Sequence, residues 1–401
     1  MKNNSFILFE KGSEWTYAAS IASTWVWAPA LFVSSSKAYF SGIYGLLWFM
    51  IPNILTLVLF GYLSSKINRN NQFSLTHVVE VASDKQANLH KFISILLLLG
   101  STVVQLIGIH TLASEWLGLP KYISAISISL LCLILVWKNG LKACICTDVV
   151  KYLILLISGI ILASISIYNN EFRGFTGFNN PSFVKEAATF GIITAIGLFS
   201  APYVDQTFWQ RSFSINKDRV FSVFCKSAIL FGIIPLLFGT IGFFANSTST
   251  WNIAQNFSGI SAIILALGVL SALISTLDSN LCAISSFVWN ETRSNETNIK
   301  YARLSMVLLI SLGSILFIFT NLTITQMFLL YGTLRTCAAL PTVLIILNKY
   351  NPNTLFYSTL FGSIVAPIGY ILYVGTGYEW LFTMFGLLVP IVGYKHSKQI
   401  V

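Results

Sequence analysis

Ala272, Ser275, Thr276 and Ser279 recur at i, i+3, i+4 and i+7, so they share one face of a helix. Asp278 stands beside that stripe, three residues after Ser275. Two hydroxyls and a carboxylate, joined by backbone carbonyls freed from another helix, make an oxygen set suited to a small hard cation. A stripe of small residues also lets two helices approach closely. The aspartate tips the balance toward an ion, because its own helix offers no adjacent base and a lone carboxylate in an apolar run is costly.

A second set of residues could supply the carbonyls. Ser20, Ser23 and Thr24 precede Trp25, Trp27 and Pro29 in one run. A proline inside a helix removes one backbone bond and collides with the carbonyl four residues earlier, here that of Trp25. The expectations for this run are a simple kink or an unwound segment facing ion and substrate. Ala201-Pro202 ends another apolar run, and paired interruptions in two halves point to a transporter's central site. Thr147-Asp148 opens a third run, where the carboxylate is either a helix cap or part of an ion path. Arg335 is a buried arginine that needs a carboxylate, from a solute or from the protein, or backbone carbonyls. Gln105 and His110 are pocket-lining candidates or helix–helix hydrogen-bond partners. Trp25, Trp27, Phe199, Tyr203 and Tyr331 could line a pocket with Ser23, or simply pack.

The elements that must hold these residues are membrane helices. Of 401 residues, 55% are hydrophobic and 9% are charged, against roughly a quarter charged in soluble domains. A crossing helix needs about 20 apolar residues. Apolar runs fall at 15–36, 42–63, 92–117, 122–137, 149–168, 187–203, 220–245, 259–289, 301–320, 325–347, 355–374 and 378–394. About twelve spans are therefore expected in one transmembrane domain covering 1–401, with no cleavable leader in the polar start. The net charge of +10 is read as loop charge rather than as a nucleic-acid footprint. Lys66, Arg69, Lys85 and Lys91 follow the second run; Lys138, Lys142 and Lys151 surround the start of the fifth. Arg211, Lys217 and Arg219 precede the seventh, Arg293 and Arg303 the ninth, and Lys395 and Lys398 end the chain. The other side has Lys37, Lys121, Arg173 and Lys185, so both termini are expected in the cytoplasm. Residues 73–83 are too short and polar to span and are expected as an interfacial helix. Five runs at 13–168 and five at 187–347 would form two halves of opposite orientation, with 355–395 as two further helices. No HExxH, no GxSxG on a plausible turn and no His/Cys cluster is present, so an enzyme is not expected.

These segments resemble the sodium:solute symporter family. EWTYAASIASTWVWAP at 14–29, continued by ALFVSSSKAY, is similar to the family's first core helix. GLKACICTDVVKY at 140–152 resembles the entry to core helix five, DQTFWQRSFS at 205–214 the segment after core helix six, and SALISTLDSNL at 271–281 core helix eight. The matches run in order over about residues 14 to 350. The resemblance implies an all-α LeuT-type fold of two inverted five-helix repeats. It implies a sodium site made by carbonyls near Ala19 and Ala22 with Ala272, Ser275 and Thr276. A second ion site seen in some members maps to Asp148, Ser275, Asp278 and Ser279. Most members carry a helix before the first core span, and here the first run already matches the core helix. The implied activity is sodium-coupled import of a small solute, such as proline, a monocarboxylate or a urea-like molecule, by alternating access in the plasma membrane. Sodium is the coupling ion, and no other cofactor, nucleic acid or obligate protein partner is expected. The alternative is a membrane solute sensor of the same fold that does not transport.

Overall fold

The computed structural model describes residues 6–7, 12–67, 74–170, 172, 174–245, 252–291, 297–374, 376 and 378–394. Residues 1–5 and 8–11 of the polar start, Phe73, and the loop charges Arg69, Arg173, Arg293, Lys395 and Lys398 lie outside the described residues. Among the described residues the architecture is helical, with one isolated bridge between Tyr350 and Tyr394. In order the helices are α1 (Glu14–Trp25), α2 (Ala28–Lys66), α3 (Leu75–Glu80), α4 (Asp84–Leu117), α5 (Lys121–Val136) and α6 (Gly140–Asn169). Then come α7 (Phe183–Glu186), α8 (Ile192–Val204), α9 (Gln206–Ser214), α10 (Val220–Phe243) and α11 (Gly259–Glu291). The chain continues with α12 (Thr297–Phe319), α13 (Ile324–Ile346), α14 (Pro352–Tyr373) and α15 (Glu379–Leu388). A π-helical turn at Ala187–Gly191 joins α7 to α8.

Nine helical stretches among the described residues are long and apolar enough to cross a bilayer. The 39-residue α2 is bent at Gly42, where φ is 64°, so it carries the end of the first apolar run and all of the second. The bend is held from outside. The loop after α6 lies against it, with Ile43 N–H donating to Phe175 O and Phe178 N–H donating to Tyr39 O, both at 2.8 Å. A Cβ on Gly42 would strike the backbone at Phe175 and Thr176.

The first apolar run is broken, but before its proline. Val26 (ψ 79°) and Trp27 (ψ 176°) leave the helix, and α2 begins at Ala28 with Pro29 in its first turn. A proline there lacks only an N–H that would be unpaired anyway, so it starts the second half rather than kinking the first. The other break also differs by a few residues. Pro202 stays inside α8, and the chain leaves the helix at Asp205 (φ −101°, ψ 111°) before α9. The short helix α3 buries Leu75, Val78 and Val79 and packs on α4. At the centre, α1 lies against α6, α10 and α11, and α11 against α6 and α4.

Candidate functional site

Breaking a helix in an apolar interior exposes backbone groups that must find partners. At the first break, Ala28 N–H donates to Gln105 Oε1 of α4 at 2.9 Å. The hydroxyl of Thr276 on α11 donates to Thr24 O at 3.1 Å. At the second break, Ser94 Oγ donates to Val204 O at 2.5 Å and Trp209 Nε1 to Tyr203 O at 3.0 Å. Asp205 caps α9, with Oδ1 accepting from Thr207 N–H at 2.9 Å and from its hydroxyl at 2.7 Å. Both interruptions are thus stabilised by side chains from neighbouring helices.

The helices that carry the ion-site candidates, α1 and α11, lie in contact. Ala22, Ala272 and Ser275 are fully buried, and Ala19 and Thr276 nearly so. Thr24 Oγ1 lies 3.0 Å from Ser279 Oγ. Within α1 the freed stretch starts later than Ala19 and Ala22, since Ala22 O still accepts from Val26 N–H at 2.9 Å. The first carbonyl of this stretch with a partner on another helix is that of Thr24.

Beside this junction lies a narrow space lined by Thr24, Trp25, Trp27, Ser101, Asp205, Thr207, Phe208, Thr276, Asn280 and Arg335, with a volume of about 10 Å³, about that of one water. Arg335 is 2% exposed. Its guanidinium stacks on Tyr331 at 3.7 Å and on Trp27 at 4.9 Å from the ring centroids. Its Nε and Nη1 have no hydrogen-bond partner among the described residues, nor do the indole N–H groups of Trp25 and Trp27. Of the other pocket candidates, Tyr331 backs the guanidinium instead of lining the space, and Gln105 caps α2 with its Nε2 left unpartnered. Ser23 is buried with its hydroxyl unpartnered, and Phe199 is half-buried on α8; neither lines the space. His110 lies 3.4 Å from Ser124 Oγ, a helix–helix contact between α4 and α5.

One turn along α11 sits a charged cluster. Asp148 is fully buried. Its Oδ2 accepts from Ser20 Oγ at 2.6 Å and Arg211 Nη2 at 3.0 Å; its Oδ1 accepts from Ser275 Oγ at 2.7 Å and faces Lys151 Nζ at 3.4 Å. Lys151 is ion-paired with Asp278. Arg211 also donates to Ser20 Oγ at 2.9 Å, Thr207 O at 3.1 Å and Ser279 Oγ at 2.6 Å. Cys144, Asp148 and Asp278 bring ligand atoms within 4.8 Å of one another. The reading of Lys151 and Arg211 as loop charges fails here: they are 8% and 0% exposed. Lys151 had a sequence signal in its i+3 spacing from Asp148, which puts both on one helix face. Arg211 had none, because its partners come from α1, α6 and α11. No spacing in the sequence marks Ser101 or Asn280 as lining the space, and Asp205 sits at a helix break that lies three residues beyond Pro202.

The family model for the sodium:solute symporter family matches residues 11–257. A probable urea active transporter 1 of Schizosaccharomyces pombe is 23% identical over 258 residues, 56% of this chain. The chain spans 37% of the length of that curated relative. Among solved structures, a Na+-coupled sialic acid symporter in a substrate-bound outward-open state superposes with a TM-score of 0.74 at 19% identity, covering 98% of this chain and 91% of that one. A nucleobase-cation-symport-1 family transporter with bromovinylhydantoin bound gives 0.64 at 13% identity, covering 98% and 93%. MhsT in complex with L-phenylalanine gives 0.62 at 11% identity, covering 96% and 98%. The fold is therefore of the LeuT type, and with the family model matching over more than half its length the chain belongs to the sodium:solute symporter family.

Proposed function

We propose that this chain is a secondary active symporter that couples sodium entry to uptake of a small solute bearing a carboxylate. The observation that carries this is a buried set of unpartnered donors, Arg335 with the indoles of Trp25 and Trp27, lining the same space as Thr276. A ligand rich in acceptors satisfies such groups, and a carboxylate suits the guanidinium fork. An α-amino acid or a monocarboxylate meets that need; an amino acid's ammonium would also have Asp205 to face. Urea supplies a single acceptor oxygen and leaves most of the set unpaired.

Sodium would be held by the hydroxyls of Ser275 and Thr276 and by the carbonyls of Ala19, Ala22 and Ala272 through their second lone pairs, since Ala22 O also accepts from Val26 N–H. Because Thr276 also bonds Thr24 O at the break, an ion there draws α1 onto α11 and shapes the space beside it. Ion and solute would then favour the same state, which is what coupling requires. The membrane potential supplies about 2.3 kcal/mol per charge per 100 mV. In this reading 13–168 and 187–347 are the two inverted repeats, both termini face the cytoplasm and the membrane is the plasma membrane.

The test is uptake into proteoliposomes under an inward sodium gradient, with proline, short monocarboxylates, urea and sugars as a panel. Accumulation of an amino or carboxylic acid, abolished by replacing sodium with choline and weakened by Thr276→Ala, is the expected result. Binding without accumulation of any panel member would instead favour a sensor. Sodium dependence that survives Ser275→Ala and Thr276→Ala would remove the ion site.

A further inference from the structure

The resemblance implies a second ion between α6 and α11, at Asp148, Ser275, Asp278 and Ser279. The geometry there argues against a free one. Asp148 and Asp278 carry two negative charges, and Lys151 and Arg211 bring two positive ones within contact. The formal sum is zero, so nothing in the cluster is left for a cation to neutralise. Each carboxylate oxygen already has a partner as well. Asp148 Oδ2 already takes Ser20 and Arg211, and its Oδ1 takes Ser275 and faces Lys151. Asp278 Oδ2 takes Lys151 and its Oδ1 accepts from Cys144 Sγ at 3.4 Å. Ser279 Oγ accepts from Arg211 Nη2 and donates to Ser275 O, both at 2.6 Å. An incoming sodium would have to push aside an ammonium that is tethered to α6 and cannot leave.

We infer that Lys151 is a resident cation, its ammonium standing permanently where a second coupling ion would bind between Asp148 and Asp278. The chain then binds at most one sodium, at the α1–α11 junction. The inference rests on the symporter reading only for that single ion; the closed state of the Asp148–Asp278 pair does not depend on it. Lys151 is a specificity-determining residue for ion number. Removing its charge leaves two buried carboxylates facing one arginine, an excess negative charge that a small cation would relieve.

Equilibrium binding of radioactive sodium to the purified chain, with choline as the replacing cation, tests this. The wild-type chain is expected to saturate at no more than one sodium per chain. Lys151→Met is expected to bind one sodium more than wild type, and Lys151→Met/Asp278→Asn to lose that extra ion. A second equivalent in the wild-type chain overturns the inference. So does a monodisperse Lys151→Met protein that binds no more sodium than wild type. Should that variant fail to fold, the wild-type stoichiometry decides alone. A wild-type value of zero sinks the sodium-coupled reading while leaving Lys151 as the resident cation.

Discussion

Single residues here do their work by leaving or filling one hydrogen bond. Arg335 has aromatic rings on its faces and unpartnered N–H groups at its edge. Arginine with a carboxylate makes charge-assisted bonds, each about 1.5–3 kcal/mol. Arg335→Gln should therefore raise the KM for a carboxylate solute by about 10- to 100-fold. An unchanged KM in the uptake assay would place the carboxylate elsewhere. Gln105 has the opposite role, since its Oε1 is what keeps Ala28 N–H from being orphaned at the first break. Gln105→Leu should lower stability by about 1–3 kcal/mol, the cost of a buried unpaired donor. Thermal unfolding of the purified chain checks this, with the exposed Ser114→Ala as a control expected to change little.

At the scale of elements, the positions that tolerate no side chain are those where two backbones meet. Gly42 combines a left-handed φ of 64° with the Phe175–Gly177 backbone pressed against its Cα. Gly118, which ends α4, has a similar φ of 59° and nothing within 4 Å of where a Cβ would stand. Left-handed backbone alone costs a non-glycine residue about 1–2 kcal/mol. Gly118→Ala, at ψ 22°, should show only that loss, and Gly42→Ala, where ψ is −148° and the loop backbone stands in the way, distinctly more, as compared thermal midpoints. Equal losses would mean that the loop does not press on the bend. The same contrast says what a sequence can reveal of such a fold. Apolar runs of 20 residues are legible because the bilayer dictates them, so α4, α6, α11 and α13 fall where hydropathy puts them. The stripe of α11 is legible because its period is that of one helix. The breaks are legible only approximately, since Pro29 and Pro202 mark weak spots while the partners that fix each break, Gln105, Thr276, Ser94 and Trp209, lie far off in the chain. Arg211 is the extreme case, reading as one more basic residue between spans until α9 is folded inward.

For the molecule as a whole, the charged cluster joins parts that the breaks would otherwise leave loose. Ser20 comes from α1, Asp148 and Lys151 from α6, Arg211 from α9 and Asp278 from α11. α1 ends at the first break and α9 begins at the second, whereas α6 and α11 are continuous, so the cluster ties the chain at both breaks to one pair of unbroken helices. A pair of this kind is poor evidence of net stabilisation, because each charge has lost its water. Losing one member is a different matter, since it strands the other in an interior without solvent. Arg211→Ala should therefore destabilise the chain by about 3–5 kcal/mol, and Asp148→Ala by a similar amount. Arg211→Ala/Asp148→Ala keeps the remaining pair, Lys151 and Asp278, balanced, so its loss should fall well short of the sum of the two singles and below that of Arg211→Ala itself. A double-mutant cycle on thermal or denaturant unfolding measures this coupling. Strict additivity would mean that the guanidinium and the carboxylate do not depend on each other, and that the broken helices are held to α6 and α11 by packing alone.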